Sequence, residues 1–242
     1  IDAAIVATPT SEHFSVSMNL LSKGKSVLVE KPITESVEQG EQLVALAKKN
    51  GLILQVGHLE RFNPAVEAVE NMISEPKFIE VQRLGSFSAR SLDIDVVLDL
   101  MIHDLDIILA LIKDEVSVIR SSGIHVLSEK IDIANARLEF KSGCVATLTA
   151  SRVHQGKVRK LRIFEPTSYY SIDYIDQEVK IFPLNGRQTD IKTLKIKKEE
   201  PLKKELKNFL KCVREGKQNK VSGEEALRAL KLAYNVLSEA EI

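Results

Sequence analysis

Tryptophan is absent from the sequence, and aromatic residues make up only 5% of its 242 residues. Platforms that stack bases or sugars are built from aromatic side chains, so this scarcity argues against a stacking-based binding module. Lysine plus arginine and aspartate plus glutamate number 34 each, which leaves no net charge. A chain without net charge has no overall field to attract nucleic acid or an anionic membrane surface, and we expect neither as a partner.

Long apolar runs and closely spaced cysteines are also lacking. No stretch approaches the ~20 apolar residues that a membrane-spanning helix needs, and the first residues show no signal-peptide pattern. The two cysteines, Cys144 and Cys212, lie far apart and do not have the spacing of a metal site. These features predict a cytoplasmic protein with free, buried thiols.

The N-terminal part of the chain alternates between strand-like and helix-like segments. The pattern predicts strands at 1–7, 26–29 and 52–56, with helices at about 11–22 and 36–49 between them. Continuously apolar strands joined by helices form a parallel sheet that is covered on both faces. Ligands of such sheets bind beyond the carboxyl ends of the strands, which here are Thr8-Pro9, Glu30-Lys31-Pro32 and Gly57-His58.

The first residues, Ile1-Asp-Ala-Ala-Ile-Val-Ala, read as a buried strand without an initiating methionine or a preceding turn. A chain does not normally open inside a sheet. We therefore expect that a segment N-terminal to this strand is missing.

The rest of the chain changes pattern after residue 65. A strand at 78–85 and a buried helix at 94–112 precede a series of alternating segments, predicted at 117–126, 132–140, 144–153, 158–165, 168–174, 178–182 and 191–197. Helices resume at Pro201 and after Ser222-Gly-Glu-Glu225, which has the form of a capping box. We thus predict an α/β segment at 1–65, a mostly antiparallel α+β domain at 66–200, and C-terminal helices at 201–242 that pack back on the first segment.

The buried helix at 94–112 carries an unusual row of polar residues. At helical spacing Asp99, His103 and Asp106 share one face, while apolar residues cover most of the remaining surface. The row has three interpretations: a core histidine with satisfied hydrogen bonds, a pair of metal ligands, or a carboxylate-oriented histidine that acts as acid and base. The strand ends described above favour the third, and we expect no metal site.

Three motifs in this order resemble the Gfo/Idh/MocA (glucose–fructose oxidoreductase / inositol dehydrogenase) family. They are Thr8-Pro9-x-x-x-His13, Glu30-Lys31-Pro32 after an apolar strand, and Asp99-x-x-x-His103 in a buried helix. The resemblance covers the whole chain and implies that 1–65 is the C-terminal part of a Rossmann-type dinucleotide-binding domain. It also implies that the antiparallel domain carries the substrate site and pairs with further copies of the chain.

The resemblance implies a nicotinamide cofactor, NAD or NADP, with NAD favoured. Seven residues at the strand ends are the implied cofactor ligands: Thr8, Pro9, His13, Glu30, Lys31, Pro32 and His58. The family's phosphate loop, G-x-G-x-x-G, does not occur in these 242 residues. We therefore expect the isolated chain to bind the dinucleotide poorly, because the helix N-terminus that holds the pyrophosphate is not among its residues.

Oxidation of a secondary alcohol requires removal of the hydroxyl proton while hydride leaves for the nicotinamide. A histidine can take that proton, and a carboxylate four residues earlier can orient it. A lysine at a strand end can stabilise the developing alkoxide. The resemblance therefore implies catalytic roles for His103 as acid and base, Asp99 as its orienting group and Lys31 as the electrostatic partner.

The segments Gly57-His-Leu-Glu-Arg-Phe-Asn-Pro64 and Arg90-Ser-Leu-Asp-Ile-Asp95 resemble family members that oxidise the 3-hydroxyl of UDP-N-acetylglucosamine for lipid A synthesis. Arginine matches a diphosphate well, and the candidate substrate ligands are Arg61, Asn63, Arg90 and Arg152, with Arg159 as a further candidate. Two alternatives stay open: a dehydrogenase of a free polyol or monosaccharide, and a non-catalytic protein that kept the fold.

Overall fold

The computed structural model describes residues 1–87, 94–184, 191–217 and 219–240. Its helices are Thr10–Ser22 (α1), Val37–Lys49 (α2), Pro64–Glu70 (α3), Ile102–Ile112 (α4), Pro201–Glu215 (α5) and Gly223–Ala240 (α6). Its strands are Ala3–Val6 (β1), Ser26–Glu30 (β2), Leu54–Gly57 (β3), Phe78–Leu84 (β4), Val116–Ile124 (β5), Ile133–Phe140 (β6), Val145–Ser151 (β7), Val158–Phe164 (β8), Ser168–Asp173 (β9), Glu178–Pro183 (β10) and Lys192–Thr193 (β11). A 3-10 turn at Leu59–Phe62 and a π turn at Val97–Met101 complete these elements.

The chain folds as two compact units. The first comprises Ile1–Phe62 and Glu199–Lys231, and the second comprises Asn63–Lys198 with the chain from Leu232 onward. The first unit contains a parallel sheet in the order β1-β2-β3. The middle strand, β2, is buried along nearly its whole length, as its unbroken apolar sequence predicts.

Local capping explains where two helices of the first unit begin. The Ser36 hydroxyl accepts a hydrogen bond from the Gln39 N–H at 3.3 Å and thereby caps α2. The predicted capping box before α6 is present. There the Ser222 N–H donates to the Glu225 carboxylate at 3.1 Å, and the Glu225 N–H donates to the Ser222 hydroxyl at 3.3 Å.

The second unit contains an eight-stranded sheet in the order β11-β10-β9-β8-β4-β7-β6-β5. All neighbouring strands are antiparallel except β4 and β7, which run parallel. Alternate residues of the central strands are buried on one face and partly exposed on the other, which is the pattern of a sheet with one wet face. The predicted hairpin turn between β6 and β7 is present, with Gly143 at φ +83°.

The predicted helix at 94–112 is in fact two structures. A π turn covers Val97–Met101, closed by the Ile102 N–H bonded to the Val97 carbonyl, and α4 starts at Ile102. Because each residue of a π turn rotates the chain through a smaller angle than in an α-helix, a spacing of four no longer fixes one face by itself. Because apolar residues cover most of this segment, the hydrophobic pattern does not reveal such a turn.

Several predicted boundaries are also wrong by a few residues. The strand predicted at 144–153 covers Val145–Ser151, and the strand predicted at 191–197 shortens to Lys192–Thr193. Short edge elements depend on tertiary pairing, which a local pattern does not contain. No helix among the described residues is long and apolar enough to cross a membrane.

Candidate active-site residues

In the first unit, the predicted cofactor ligands lie at one end of the parallel sheet. Parallel pairing brings the carboxyl end of β1 beside that of β2, and Glu30 at the end of β2 is in register with Gly57 at the end of β3. Lys31 follows directly and is half-buried, and the peptide bond between Lys31 and the buried Pro32 is cis. The sheet therefore places Glu30, Lys31 and Gly57 along the edge where ligands of such sheets bind.

His13 joins two of these strand ends. Its ring is 1% exposed. Nδ1 lies 2.8 Å from the carbonyl oxygen of Pro32, and Nε2 lies 3.0 Å from that of Thr8. A carbonyl oxygen can only accept, so each contact is a hydrogen bond whenever that ring nitrogen carries a proton. His13 thus holds the turn after β1 against the turn after β2.

Glu30 and His58 lie at the ends of neighbouring strands. A Cβ added at Gly57 would lie 2.7 Å from Oε2 of Glu30, so the glycine leaves the space that the Glu30 carboxylate occupies. His58 follows Gly57 and is 1% exposed. This side of the site is closely packed by the protein itself.

Arg61, a predicted substrate ligand, is held by residues of its own unit. It is 5% exposed, and Nη2 donates to the Lys220 carbonyl and to Glu225 Oε1, each at 3.3 Å. Glu225 is also the capping residue of α6. The guanidinium therefore ties the 3-10 turn to the start of α6.

In the second unit, Asp99 and His103 lie on either side of the junction between the π turn and α4. Both residues are half-buried, and the Nδ1 atom of His103 is buried. Asp106, the third residue of the predicted polar row, is 2% exposed. A π turn inside a helix is frequently found at functional sites, and here it contains Asp99.

A buried ion pair next to His103 escaped the sequence analysis. Asp104 receives two hydrogen bonds from Arg83 of β4, at 2.5 Å from Nε and 2.8 Å from Nη2. The Arg83 guanidinium also lies 5.5 Å from the centre of the Tyr174 ring, a cation–π distance. In the alternating pattern of β4, Arg83 falls on the buried face of the strand. A buried charged residue needs a partner, so this pattern could have indicated the ion pair.

Arg152, another predicted substrate ligand, is 3% exposed and bonded within the second unit. It donates from Nε to Asp132 at 2.7 Å, from Nη1 to the Ile94 carbonyl at 2.9 Å and from Nη2 to the Ser128 hydroxyl at 3.0 Å. Burial by itself raises the pKa of Asp132, but backbone N–H groups of 126–128 and the Arg152 guanidinium outweigh it and hold that pKa well below its usual range.

The remaining substrate candidates are Asn63, Arg159 and Arg90. Asn63 is 3% exposed; its Oδ1 accepts from the Ala65 N–H at 3.0 Å and caps α3, while Nδ2 donates to the Tyr174 carbonyl at 3.0 Å. Arg159 on β8 is half-buried. Arg90 lies outside the described residues.

Across the described ranges, no group of three or more His, Cys, Asp or Glu side chains is placed to hold a metal ion. Neither cysteine forms a disulfide bond and both are buried, and burial raises the pKa of the Cys144 thiol to about 11.

Comparison with known proteins decides the family. Residues 1–58 match the NAD-binding Rossmann-fold domain of the Gfo/Idh/MocA oxidoreductases, and residues 73–165 match the C-terminal domain of the same family. A solved structure of UDP-N-acetylglucosamine 3-dehydrogenase from Acidithiobacillus ferrooxidans is 33% identical and superposes with a TM-score of 0.94, covering 100% of this chain and 79% of the other. The chain belongs to the Gfo/Idh/MocA family.

Curated relatives of this Gfo/Idh/MocA chain include sugar and polyol dehydrogenases. The UDP-N-acetylglucosamine 3-dehydrogenase of A. ferrooxidans is 38% identical over 183 residues, which cover 75% of this chain and 58% of the relative. The NAD-dependent scyllo-inositol 2-dehydrogenase of Bacillus subtilis is 29% identical over 236 residues, 90% of this chain and 69% of the relative. The chain thus spans just over half of the first relative's length.

Proposed function

We propose that the protein containing this chain is a nicotinamide-dependent dehydrogenase that oxidises the 3-hydroxyl of UDP-N-acetylglucosamine. The observation that carries the proposal is the similarity, along the whole described chain, to a UDP-N-acetylglucosamine 3-dehydrogenase. The catalytic motifs of the sequence add to it, because they place an acid/base pair and a cation in the order that the family uses. A non-catalytic protein that kept the fold would have no use for these three polar groups.

The residues at the sheet edge fit the nicotinamide end of a dinucleotide. Gly57 at the end of β3 leaves room for the Glu30 carboxylate at this edge, and His13 contacts the ends of the other two strands. We assign Thr8, Pro9, His13, Glu30, Lys31, Pro32 and His58 to cofactor binding, and we favour NAD over NADP. When bound, the nicotinamide accepts the hydride that leaves the alcohol carbon.

The proposed proton transfer uses residues of this chain. His103 takes the proton of the substrate hydroxyl, and Asp99 accepts a hydrogen bond from the other ring nitrogen, which stabilises the imidazolium that forms. The Lys31 ammonium stabilises the negative charge that develops on the hydroxyl oxygen. The Arg83–Asp104 ion pair holds the helix that carries His103.

For the substrate we propose Arg61, Asn63, Arg90 and Arg152 as ligands of the diphosphate and sugar. The burial of Arg61 and Arg152 in contacts with their own units favours a second candidate, the dehydrogenation of a free polyol or monosaccharide. A diphosphate needs guanidinium groups whose N–H donors are not already engaged by the protein, whereas a polyol without a phosphate group does not.

A substrate panel separates the two candidates. The complete gene product is assayed with NAD and NADP against UDP-N-acetylglucosamine, UDP-glucose, free N-acetylglucosamine and the inositols, following the absorbance of reduced nicotinamide. We expect turnover with UDP-N-acetylglucosamine and NAD at a kcat/KM at least tenfold above that for any free sugar. Preference for an inositol would establish the second candidate, and turnover with none of them would contradict both.

We also propose that copies of the chain associate through the wet face of the eight-stranded sheet. Phe164, Tyr169 and Phe182 stack on that face, with ring centres 4.9 and 4.4 Å apart. Half-exposed aromatic rings are enriched in interfaces. Sedimentation of the wild-type protein and of Phe182→Lys tests this proposal, and we expect the variant to shift toward the monomer. Two buried cysteines that form no disulfide bond support our proposal of a cytoplasmic location.

A further inference from the structure

Asp95 joins two parts of the second unit just ahead of the π turn. Its side-chain Oδ1 accepts a hydrogen bond from the N–H of Ile131 at 2.9 Å. Its backbone carbonyl accepts another from the N–H of Asp99, also at 2.9 Å. Asp95 therefore connects the proposed orienting residue of the reaction to the segment before β6, and the proton transfer described above gives it no role.

Ile131 is a well-fixed anchor for this connection. It is 2% exposed, and a Cβ added at Gly123 of β5 would lie 2.8 Å from its Cδ1 and Cγ2 atoms. The Ile131 side chain therefore fills the space that the glycine leaves. The next residue, Asp132, donates its N–H to the Ile124 carbonyl at 2.9 Å, so β5 holds this segment through a side chain and through the backbone.

Three consecutive residues ahead of the π turn are bonded to the same part of the unit. The Ile94 carbonyl accepts a hydrogen bond from Arg152 Nη1 at 2.9 Å, and the Val96 N–H donates to the Ile131 carbonyl at 3.0 Å. Between them lies Asp95, which uses its side chain where its two neighbours use their backbone. A substitution of Asp95 therefore removes one of the three bonds and leaves the other two groups in place.

The π turn that follows depends on contacts of this kind. π turns are rare and occur mostly as single turns within α-helices, so we infer that the surroundings of this turn select it over a regular α-helix. It packs against β7, and the helix that leaves it is held by the Arg83–Asp104 ion pair. The bond to Asp95 fixes the other end of the turn, where the chain enters it.

We propose that Asp95 is a positioning residue: its carboxylate fixes the start of the π turn against Ile131 and so holds Asp99 where it orients the imidazole of His103. The role toward His103 deepens the proposed function and rests on it, whereas the fixation of the turn does not. Without the carboxylate, the turn shifts toward the regular α-helix, which rotates Asp99 about the helix axis. Since Asp95 acts through Asp99 and not on the substrate, its loss slows the chemical step and leaves substrate binding unchanged.

Amide hydrogen exchange of the complete gene product tests the fixation of the turn. Wild type is compared with Asp95→Ala, which removes the acceptor, and with Asp95→Asn, which keeps an acceptor oxygen in the same place. We expect peptides that cover 96–102 to exchange roughly tenfold faster in Asp95→Ala, the effect of losing one hydrogen bond, and at the wild-type rate in Asp95→Asn. The matched control is Asp173→Ala, because Asp173 accepts from the N–H groups of Ile175 and Asp176 in the β9–β10 hairpin; this variant should leave 96–102 unchanged.

Single-turnover kinetics of the same four proteins connects the turn to the reaction. We expect hydride transfer in Asp95→Ala to be slower by roughly 10- to 100-fold, because a small displacement of a reacting group is costly in rate. KM for the sugar should stay within about twofold of wild type, since binding is not affected. Asp95→Asn should restore the rate, and Asp173→Ala should keep it.

Three results would overturn the proposal. Unchanged exchange of 96–102 in Asp95→Ala would show that the carboxylate does not fix the turn. Faster exchange with an unchanged rate of hydride transfer would leave Asp95 a purely structural role, and an Asp95→Asn variant that behaves like Asp95→Ala would show that the hydrogen bond is not responsible. If the wild-type protein shows no dehydrogenase activity, the proposed function fails, while hydrogen exchange still decides the fixation of the turn.

Discussion

Arg83 and Asp104 form a two-point ion pair whose side chains are only 3% and 2% exposed. Asp104 lies on α4 directly after His103, and Arg83 lies on the central strand β4. The pair therefore fastens the helix that carries the proposed acid/base residue to the large sheet. Both hydrogen bonds come from the planar guanidinium, which fixes orientation as well as distance.

We predict that Asp104→Asn lowers the free energy of unfolding by ~3 kcal/mol, because it leaves the Arg83 cation buried without its counter-charge. Urea unfolding at pH 7 measures the change. The exposed pair of Glu75 and Lys77, with 64% and 52% exposed side chains, provides the control. Glu75→Gln should change the free energy by less than about 1 kcal/mol, and equal effects of the two variants would argue against the anchoring role of Asp104.

A second prediction concerns the pH dependence of the Asp132–Arg152 pair. The pKa of Asp132 is lowered in the folded protein, so its stabilisation is present above the ordinary value of 3.8 and is lost as the pH falls below it. We predict that Asp132→Asn destabilises the protein by ~3–5 kcal/mol at pH 7 and by less at about pH 2. Guanidinium unfolding at both pH values measures this, and a difference that grows on acidification would contradict the assignment.

The His13 bridge gives a third prediction. His13→Ala removes the ring that contacts the carbonyl oxygen of Thr8 and the buried one of Pro32, and we expect it to lower the free energy of unfolding by ~2 kcal/mol. His154, whose side chain is exposed, supplies the control variant His154→Ala, for which we expect no change. If His13→Ala unfolds at the same urea concentration as wild type, the ring does not hold the two turns together.

The elements that could be predicted from the sequence are those fixed by local chemistry. The capping box of Ser222 and Glu225 forms as its spacing predicts, because both bonds join residues three positions apart. The strands of the large sheet are predicted by apolar and polar residues that alternate with a period of two. The family motifs at residues 8–13, 30–32 and 99–103 were recognisable for a similar reason, since each lies within a few residues.

The features that escaped prediction depend on contacts between distant residues. Arg83 and Asp104 are 21 positions apart, and the sequence around either residue gives no indication of the other. Glu205 lies one turn before Phe209 on α5 and is 1% exposed, and its burial depends on how α5 packs within the first unit. Arg152, a phosphate ligand by prediction, also donates to Asp132, Ile94 and Ser128, which lie 20 or more positions away and could not be identified from its local sequence.

Cofactor binding by the isolated residues 1–242 provides a fourth prediction. These residues contain no G-x-G-x-x-G loop, so they lack the helix N-terminus that binds a pyrophosphate. We predict that calorimetry detects no NAD binding at micromolar concentrations of this chain, and that nicotinamide mononucleotide and NAD bind with similarly weak affinity. Micromolar or tighter NAD binding would show that other residues hold the pyrophosphate.

Single-turnover kinetics of the complete gene product, with His103→Ala and Lys31→Met beside wild type, test the catalytic assignment most directly. The matched controls are His154→Ala and Lys23→Met, which change an exposed histidine and an exposed lysine. We predict that each catalytic variant slows hydride transfer by at least ~100-fold, the range for loss of an acid/base or charge-stabilising group, while both controls keep the wild-type rate. Hydride transfer within a few-fold of wild type in His103→Ala and Lys31→Met would contradict the catalytic roles of both residues.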